Sequence, residues 1–268
     1  MEHDYVLGTH DEELARLGLQ HRVWRASVLE CWRHAGITVG SRVLDVGAGP
    51  GYATADLAEM VGASGRVVAL ERSEKFLDFG RAHCRPFPQV EFRQTDVMLD
   101  DFPTEGFDFS WARWIACFVS DPARLIRKIA DALSPGGIAV FHEYAAYQTW
   151  RYLPARPYQT QFLDKVMESW RAEGGEPDIA LALPQLLHVC GMSVRSATPH
   201  IFCVRPNDYA WQWPKEFLAT HPARLRELGM VDDAFTEEIR AEAAAAESAP
   251  ESFVLTPLVL EIVAEKKR

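Results

Sequence analysis

A glycine-rich turn lies between an apolar run and a helical segment near the start of the chain. Val43-Leu44-Asp45-Val46 has the composition of a buried strand, Gly47-Ala48-Gly49-Pro50-Gly51 follows it directly, and the pattern from Ala53 to Met60 is helical. Three glycines in five positions permit backbone conformations with positive φ and let main-chain amides approach a ligand closely. This order of strand, turn and helix predicts the first unit of an α/β sheet, with a ligand site at the turn.

Strand-like and helical segments go on alternating to about residue 145. The further strand-like runs are Val67–Leu70, Val90–Gln94, Phe107–Trp111 and Ile138–Phe141. The alternation predicts βαβ units in a parallel sheet with helices on both faces, and ligands of such sheets bind beyond the carboxyl ends of the strands. The residues at those ends are Asp45, Glu71, Asp96, Trp111 to Arg113, and His142 to Tyr144.

The rest of the chain is predicted to be mainly helical. A first helix is expected over Asp11–Trp32, before the sheet. After Tyr144 we expect helices over Tyr158–Glu173 and Leu181–Cys190, and mostly helix over Asp208–Glu247. Met192–Val204 and Val254–Ala264 have strand character and are expected to pair with each other.

Composition restricts the class of protein. The chain has 268 residues, 48% of them hydrophobic, and a formal net charge of −10. An acidic chain of this size is expected to form a core and to lack the basic surface that follows a phosphate backbone. The five cysteines are odd in number and scattered, so neither a disulfide scaffold nor a metal site is expected. Without a signal segment or an apolar run of about 20 residues, we expect a cytoplasmic protein with neither nucleic acid nor membrane as partner.

The spacing of an acidic residue from the turn indicates nucleoside binding. Glu71 lies 20 residues beyond Gly51, at the end of the second strand-like run, where a carboxylate can accept hydrogen bonds from both ribose hydroxyls. The dinucleotide pattern Gly-x-Gly-x-x-Gly would need glycine at position 52, which is Tyr52. The Gly-Lys-Ser/Thr sequence of a P-loop is also absent.

From Asp45 to Gly51 the sequence resembles the first motif of the class I S-adenosylmethionine (SAM) methyltransferases, an acidic residue followed by Gly-x-Gly-x-Gly. The resemblance covers residues 36 to 145 closely, and its further matches are Glu71, Thr95-Asp96-Val97, the strand from Phe107 and the Leu-x-Pro-Gly-Gly turn at Leu133–Gly137. The opening segment, from Tyr5 to Gln20, is similar to small-molecule members related to the ubiquinone/menaquinone-biosynthesis group.

The resemblance implies a fold and a domain organisation. We expect a Rossmann-like, seven-stranded mixed sheet in the order 3-2-1-4-5-7-6, with helices on both faces and a helical cap. Residues 1–35 would form a covering helix. Residues 36–268 would form the methyltransferase domain, with cap insertions at about 146–180 and 206–250. The protein would be a monomer or a homodimer.

The resemblance also implies roles for the residues at the strand ends. Asp45 would orient the methionine end of SAM, and Glu71 would bind the ribose. Asp96 would contact the adenine amine, with Val97 packed on the ring. The turn residues expected at the cofactor are Gly47, Ala48, Gly49 and Gly51, with Arg72 beside the ribose site. Metal ligands are not expected.

Other candidates carry open alternatives. Tyr5, Arg16 and Gln20 either close over SAM or form the polar face of an amphipathic helix. Trp111 either lines the methyl-transfer site or packs in the core. Arg113 either contacts the SAM carboxylate, holds an acidic substrate or makes a structural ion pair.

His142 is the candidate general base, because a histidine at a strand's carboxyl end can accept a proton near neutral pH. The alternative is a core histidine, since side chains alternate along a strand and only some of them face the cleft. Aromatic residues after Tyr144 either fill the cap or wall an apolar acceptor.

These observations predict an enzyme that transfers a methyl group from SAM to an oxygen or nitrogen of a small molecule, releasing S-adenosylhomocysteine (SAH). One alternative is a domain that binds SAM or SAH without turnover. A less favoured one is a NAD-dependent oxidoreductase, which Tyr52 at the third glycine position argues against.

Overall fold

A computed structural model describes residues 11–267. The helices are α1 (Asp11–Ala35), α2 (Tyr52–Val61), α3 (Glu74–His83), α4 (Pro122–Ala132), α5 (Pro157–Ala172), α6 (Leu183–Val189), α7 (Gln212–Glu227) and α8 (Asp233–Ser248). The strands are β1 (Arg42–Val46), β2 (Arg66–Glu71), β3 (Val90–Gln94), β4 (Phe107–Arg113), β5 (Leu133–Ala146), β6 (Arg151–Leu153), β7 (Met192–His200), β8 (Cys203–Val204), β9 (Phe253–Leu255) and β10 (Leu258–Lys266). Within residues 11–267, none of the helices has both the length and the apolar character needed to cross a bilayer.

Seven strands form one mixed sheet in the order β3-β2-β1-β4-β5-β10-β7. β1 pairs in parallel with β2 and β4, the parallel pairing continues to β3 and β5, and β10 runs antiparallel to both β5 and β7. Since β7 and β10 are the sixth and seventh strands of this sheet along the chain, the order matches the expected 3-2-1-4-5-7-6. The predicted fold class is therefore confirmed.

Local sequence signals place the helices that follow the strands. Ser73 precedes α3 and its hydroxyl accepts a hydrogen bond from the amide of Phe76. Asp121 precedes α4 and accepts from the amide of Arg124, with Pro122 at the first helical position. These capping bonds satisfy amides that have no partner inside a helix. They start α3 and α4 just after the strand ends, where the predicted site lies.

Two expectations about strands need correction. The turn of the motif Leu133–Gly137 lies inside the longer strand β5, and the β4–β5 pairing shifts register between Phe107 and Phe109. The single strand expected over Val254–Ala264 is two strands, separated at Pro257, which has no amide to donate. Its first part joins a three-stranded antiparallel sheet in the order β6-β9-β8, whose strands are too short to show a period in sequence.

A layer of helices covers one side of the sheet's carboxyl edge. α7 packs on α8, α5 packs on both, and α1 contacts α2, α7 and β5. The contact between α1 and α7 joins the first helix of the chain to the segment expected as the second insertion. The division into a covering helix (residues 1–35) and a domain with two cap insertions remains our prediction.

Candidate functional site

A cavity of about 1270 Å³ opens at the carboxyl ends of β1 to β4. Most of the sequence-predicted residues lie together on its wall. They are Gln20, Asp45, Gly47, Ala48, Gly49, Glu71, Arg72, Asp96, Val97, Trp111 and Arg113. Arg16, Gly51 and His142 do not line it, and Tyr5 lies outside the described residues. We call this space the strand-end cavity.

The glycine turn forms the base of the strand-end cavity. Gly47, Gly49 and Gly51 have φ values of 70°, 56° and 80°, a region that side chains other than glycine rarely adopt. A Cβ atom at Gly51 would come within 2.9 Å of the Phe92 ring, whereas one at Gly49 would meet no atom within 4 Å. Gly51 therefore supports packing beneath the turn, and Gly49 leaves open space on the cavity side.

This difference predicts unequal costs for two alanine substitutions. Gly49→Ala carries mainly the backbone cost of positive φ, about 1 kcal/mol, which corresponds to a drop of about 2–4 °C in melting temperature for a domain of this size. Gly51→Ala adds the collision with Phe92 and is expected to lower the melting temperature at least twice as far. Thermal unfolding of both variants checks this, and equal drops would contradict it.

Asp45 lies under the turn at the end of β1 and is buried. Its Oδ2 atom accepts a hydrogen bond of 2.6 Å from the hydroxyl of Thr54, on α2. Burial raises the pKa of Asp45 to about 6, and the bond from Thr54 opposes that rise. The carboxyl group therefore has a fixed orientation toward the cavity and a free lone pair on each oxygen.

Glu71 connects the turn to the start of α3. One carboxylate oxygen accepts a bond of 2.9 Å from the amide of Gly49, and the other accepts one of 2.8 Å from the amide of Ser73. Burial raises the pKa of Glu71, and both amide bonds oppose that rise. Two backbone donors thus hold the carboxylate on the cavity wall, and each oxygen keeps a second lone pair for a ligand.

Asp96 follows β3 at the same edge of the sheet where Glu71 ends β2. Its Oδ1 atom accepts bonds from the amides of Met98 (2.8 Å) and Leu99 (3.2 Å), and its Oδ2 atom lies 3.7 Å from the Arg72 guanidinium. The amide bonds fold the loop back over the strand end, which places Val97 on the cavity wall.

Arg113 and Trp111 extend the site to the end of β4. Trp111 is buried and packs edge-on against Trp32, and it also lines the strand-end cavity. It therefore contributes both to the core and to the cavity wall. The Arg113 guanidinium lies over the rings of Trp111 and Trp114, and burial lowers its pKa to about 10, which leaves it protonated at neutral pH. Its Nη1 atom is buried and has no hydrogen-bond partner.

A second, narrower cavity adjoins the first, and we call it the aromatic cavity. Eight aromatic side chains, two prolines, Arg16 and Gln20 line it. The aromatic residues are Trp114, Phe118, Tyr144, Tyr147, Trp150, Trp170, Trp213 and Phe217. Gln20, Trp114 and Phe118 also line the strand-end cavity, so the two spaces share a wall.

Arg16 and Gln20 both line the aromatic cavity, and of the two only Gln20 also lines the strand-end cavity. Both are buried, and Arg16 makes two short bonds to the Glu13 carboxylate (2.6 and 2.7 Å) and one of 3.1 Å to the Gln20 side chain. The same Gln20 oxygen accepts a bond of 2.9 Å from the indole N–H of Trp213. These bonds tie α1 to α7 directly over the aromatic cavity.

The structure does not support His142 as a general base. His142 is fully buried, its Nε2 atom lies 3.2 Å from the Glu261 carboxylate, and it packs against Trp24 and Trp111 rather than lining either cavity. Burial lowers its pKa to about 4. The core alternative describes His142 better, and Tyr144, two residues further along β5, reaches the aromatic cavity instead.

His142 belongs to a buried polar cluster that joins four elements. One oxygen of Glu261 also contacts Nε2 of His200 at 2.9 Å, and the potential ligand atoms of Cys31, His142 and Glu261 lie within 4.8 Å of one another. The four residues come from α1, β5, β7 and β10. Sequence spacing missed this cluster because its members are at least 50 positions apart.

Glu143 holds the loop that borders both cavities. Its side chain is fully buried and accepts hydrogen bonds from the amides of Ile115 (2.9 Å), Ala116 (2.7 Å) and Cys117 (3.3 Å). Just before them, Trp114 has a φ of 50°, which is unusual for a residue other than glycine. Glu143 thereby shapes the wall on which Trp114 and Phe118 lie.

Comparisons with known proteins identify relatives of the part of the chain that carries the predicted motifs. Residues 44–141 match the family described as "Methyltransferase domain". The chain is 32% identical over 120 residues to a demethylmenaquinone methyltransferase of Lysinibacillus sphaericus, covering 45% of this chain and 50% of that protein. It is 30% identical over 128 residues to the ubiquinone/menaquinone biosynthesis C-methyltransferase UbiE of Cronobacter sakazakii, covering 47% and 50%.

A solved structure resembles most of the chain. The YcgJ protein of Bacillus subtilis aligns with a TM-score of 0.60 at 15% identity, covering 92% of this chain and 99% of that one. At that identity the likeness concerns the fold. By contrast, the alignments span only about half the length of the curated relatives.

Fold and site together define an α/β domain with a ligand cavity at the carboxyl ends of its parallel strands. The family match specifies the domain further. Residues 44–141 match the methyltransferase-domain family, and the two curated relatives are a demethylmenaquinone and a ubiquinone/menaquinone methyltransferase, as the motif resemblance implied. The resemblance seen in the motifs is thereby confirmed.

Proposed function

We propose that this protein transfers a methyl group from SAM to a small acceptor bound in the aromatic cavity. The observation that carries the proposal is the shared wall of Gln20, Trp114 and Phe118. A strand-end cavity of the kind that binds nucleosides meets an aromatic cavity of the kind that binds small organic molecules. Two substrates held in the two cavities would meet where these shared residues lie, with their reacting groups close together, as methyl transfer requires.

The residues of the strand-end cavity fit SAM. Glu71 keeps a lone pair on each oxygen for the two ribose hydroxyls, and Asp96 has a carboxylate beside the expected adenine position. The empty volume beside Gly49 admits a ligand against the turn. Asp45 places a second buried carboxyl group at the end of β1, toward the methionine part.

When bound, SAM would supply the methyl group on its sulfonium, which bonds to the acceptor in an in-line displacement as the carbon–sulfur bond breaks and SAH leaves. The side chains of this protein would contribute mainly by positioning and by excluding water. Trp114 and Phe118, on the loop held by Glu143, would align the two ligands at the junction of the cavities. Since His142 lies outside both cavities, we do not assign it the proton transfer that an oxygen or nitrogen acceptor needs.

The aromatic cavity favours a flat, largely apolar acceptor. Its wall offers rings and prolines, with hydrogen-bonding groups at Arg16 and Gln20. Its free volume is about 30 Å³, room for a few water molecules at most. An acceptor must therefore move aromatic side chains as it enters. Oxygen and nitrogen remain our predicted acceptor atoms, and the name of the related UbiE protein adds carbon to the atoms to be tested.

Isotope transfer tests the proposal. Incubation with methyl-labelled SAM and a metabolite extract should label one small molecule, and its mass spectrum would identify the methylated atom. SAH at 100 times its Kd should raise the free energy of unfolding by about 2.7 kcal/mol. Absence of any thermal shift at millimolar SAH would contradict the proposal.

A matched variant separates binding from turnover. Phe217 lines the aromatic cavity but not the strand-end cavity, so Phe217→Leu should keep the SAH thermal shift and raise KM for the acceptor several-fold. SAH binding without transfer to any component of the extract would favour the alternative, a domain that binds the cofactor without turnover. A small molecule as partner, and a monomeric or homodimeric state, also remain predictions.

A further inference from the structure

Arg113 lines the strand-end cavity and has a buried hydrogen-bond donor without a partner. Its Nη1 atom is inaccessible to solvent and has no partner, although the side chain lines the cavity. A buried guanidinium is costly unless an anion accepts its N–H groups. Asp45 stabilises the charge electrostatically, but its Oδ2 atom accepts from Thr54, and the carboxylates of residues 11–267 form no ion pair with Arg113.

The second terminal nitrogen of Arg113, Nη2, is held by a chain of hydrogen bonds through His21 on α1 to Asp56 on α2. Nη2 of Arg113 lies 3.2 Å from Nδ1 of His21, and Nε2 of His21 lies 3.0 Å from Asp56. Arginine can only donate, so Nδ1 is the acceptor and Nε2 carries the proton given to Asp56. Arg25 also donates hydrogen bonds of 2.8 to 3.1 Å to the Asp56 carboxylate. His21 is thus neutral, in agreement with burial lowering its pKa.

The position of Arg113 in the sheet indicates which anion belongs there. From β3 across to β4, the strand ends carry Asp96, then Glu71, then the glycine turn, then Arg113. Neighbouring strands lie about 4.8 Å apart, so Arg113 is about 10 Å beyond Glu71 in the sheet direction. With the adenosine at Asp96 and Glu71, the methionine end of the cofactor extends toward β4.

We infer that Arg113 forms a carboxylate-binding subsite for the methionine end of SAM and SAH, and that His21 is the positioning residue that orients its free Nη1 atom. The inference rests on the proposed function. Of the three roles left open for Arg113, it selects contact with the SAM carboxylate. A structural ion pair is excluded because the carboxylates of residues 11–267 form none with Arg113. The acidic-acceptor alternative is disfavoured because Arg113 lines the strand-end cavity and not the aromatic cavity.

A ligand without the carboxylate tests the subsite directly. Calorimetric Kd values would be measured for SAH and for decarboxylated SAH, which lacks only that group. The unmodified protein should bind SAH about 10- to 100-fold more tightly than decarboxylated SAH, the range of a charged hydrogen bond. Arg113→Met should remove most of this preference by weakening SAH alone. Arg42→Met, at an exposed arginine paired with Asp108, is the matched control and should keep the preference.

Substitutions of His21 provide a second, independent test of the carboxylate subsite. His21→Leu removes the acceptor for Nη2 and should lower the preference for SAH several-fold. His21→Gln can still accept from Arg113 and donate to Asp56, so it should restore the preference. A role of His21 in packing alone would weaken both ligands equally. If Arg113→Met does not fold, Arg113→Lys replaces it, with a smaller but still selective loss for SAH.

The outcomes separate this inference from the function on which it rests. Equal weakening of both ligands by Arg113→Met in a folded protein overturns the subsite and leaves the proposed function intact. Unchanged SAH affinity with a raised KM for the acceptor also overturns it, and assigns Arg113 to an acidic acceptor. Failure of the unmodified protein to bind either ligand removes the proposed function itself.

Discussion

Replacing Glu71 with alanine is expected to weaken SAH binding by about 100-fold. A charged hydrogen bond contributes about 1.5–3 kcal/mol, and Glu71 is positioned to accept from two ribose hydroxyls. The substitution also frees the amides of Gly49 and Ser73, which the carboxylate now orients. Loss of the ligand bonds and loss of order in the turn act in the same direction, so this is the largest binding effect that we expect from one side chain. Calorimetric titration with SAH measures it.

Two further variants make the result specific. Glu91→Ala removes an exposed carboxylate that pairs with Arg66 and Arg93 away from the cavity, and it should leave the SAH affinity unchanged. Glu71→Gln keeps the size of the side chain but turns one acceptor into a donor, so its affinity should fall between those of the unmodified protein and Glu71→Ala. A loss below threefold in folded Glu71→Ala would remove Glu71 from the cofactor site.

The strand-end cavity was predictable because its determinants are local. A buried strand followed by glycines that need positive φ has few conformations, and parallel strands bring Asp45, Glu71 and Asp96 to one edge of the sheet. Neither argument needs knowledge of distant contacts. The strand order followed from the family resemblance rather than from the residues alone.

The aromatic cavity was not predictable in the same way. Its wall combines Gln20 from α1, Trp114 from the loop after β4, Tyr144 from β5 and Phe217 from α7. Aromatic residues after Tyr144 pointed to an apolar acceptor or to cap packing, and both descriptions apply. Which rings face a cavity depends on how α1, α5 and α7 pack, and that is a property of contacts far apart in sequence.

His142 shows why a strand end alone does not identify a catalytic group. Side chains alternate between the two faces of a sheet, so an irregularity in a strand makes it hard to predict which face a given residue takes. β5 carries such an irregularity, a register shift against β4 near Gly136 and Gly137, which the sequence pattern did not predict. His142 packs on Trp24, and Glu143 accepts hydrogen bonds from the loop after β4. The residue with the largest predicted role in proton transfer is buried, and its neighbour has a role in shaping the site.

Glu143→Ala is expected to lower the free energy of unfolding by about 3–5 kcal/mol. The substitution would leave three buried backbone amides, those of Ile115, Ala116 and Cys117, without an acceptor, and each unsatisfied donor costs about 1–3 kcal/mol. The gain from no longer burying a carboxylate offsets part of this cost. Because the same loop carries Trp114 and Phe118, SAH affinity should fall as well. Denaturant unfolding and SAH titration of the variant measure both effects.

The charge of Glu143 provides a second readout. Burial raises its pKa from 4.5 to about 7, so the folded protein holds this proton more tightly than the unfolded chain. The stability due to that proton is complete below about pH 4.5 and is lost as pH rises through 7. Glu143→Gln cannot ionise, so the unmodified protein should lose stability relative to this variant between pH 5 and pH 8. If the difference in unfolding free energy between the two proteins were the same at both pH values, Glu143 would be ionised throughout, and its three amide bonds would outweigh its burial.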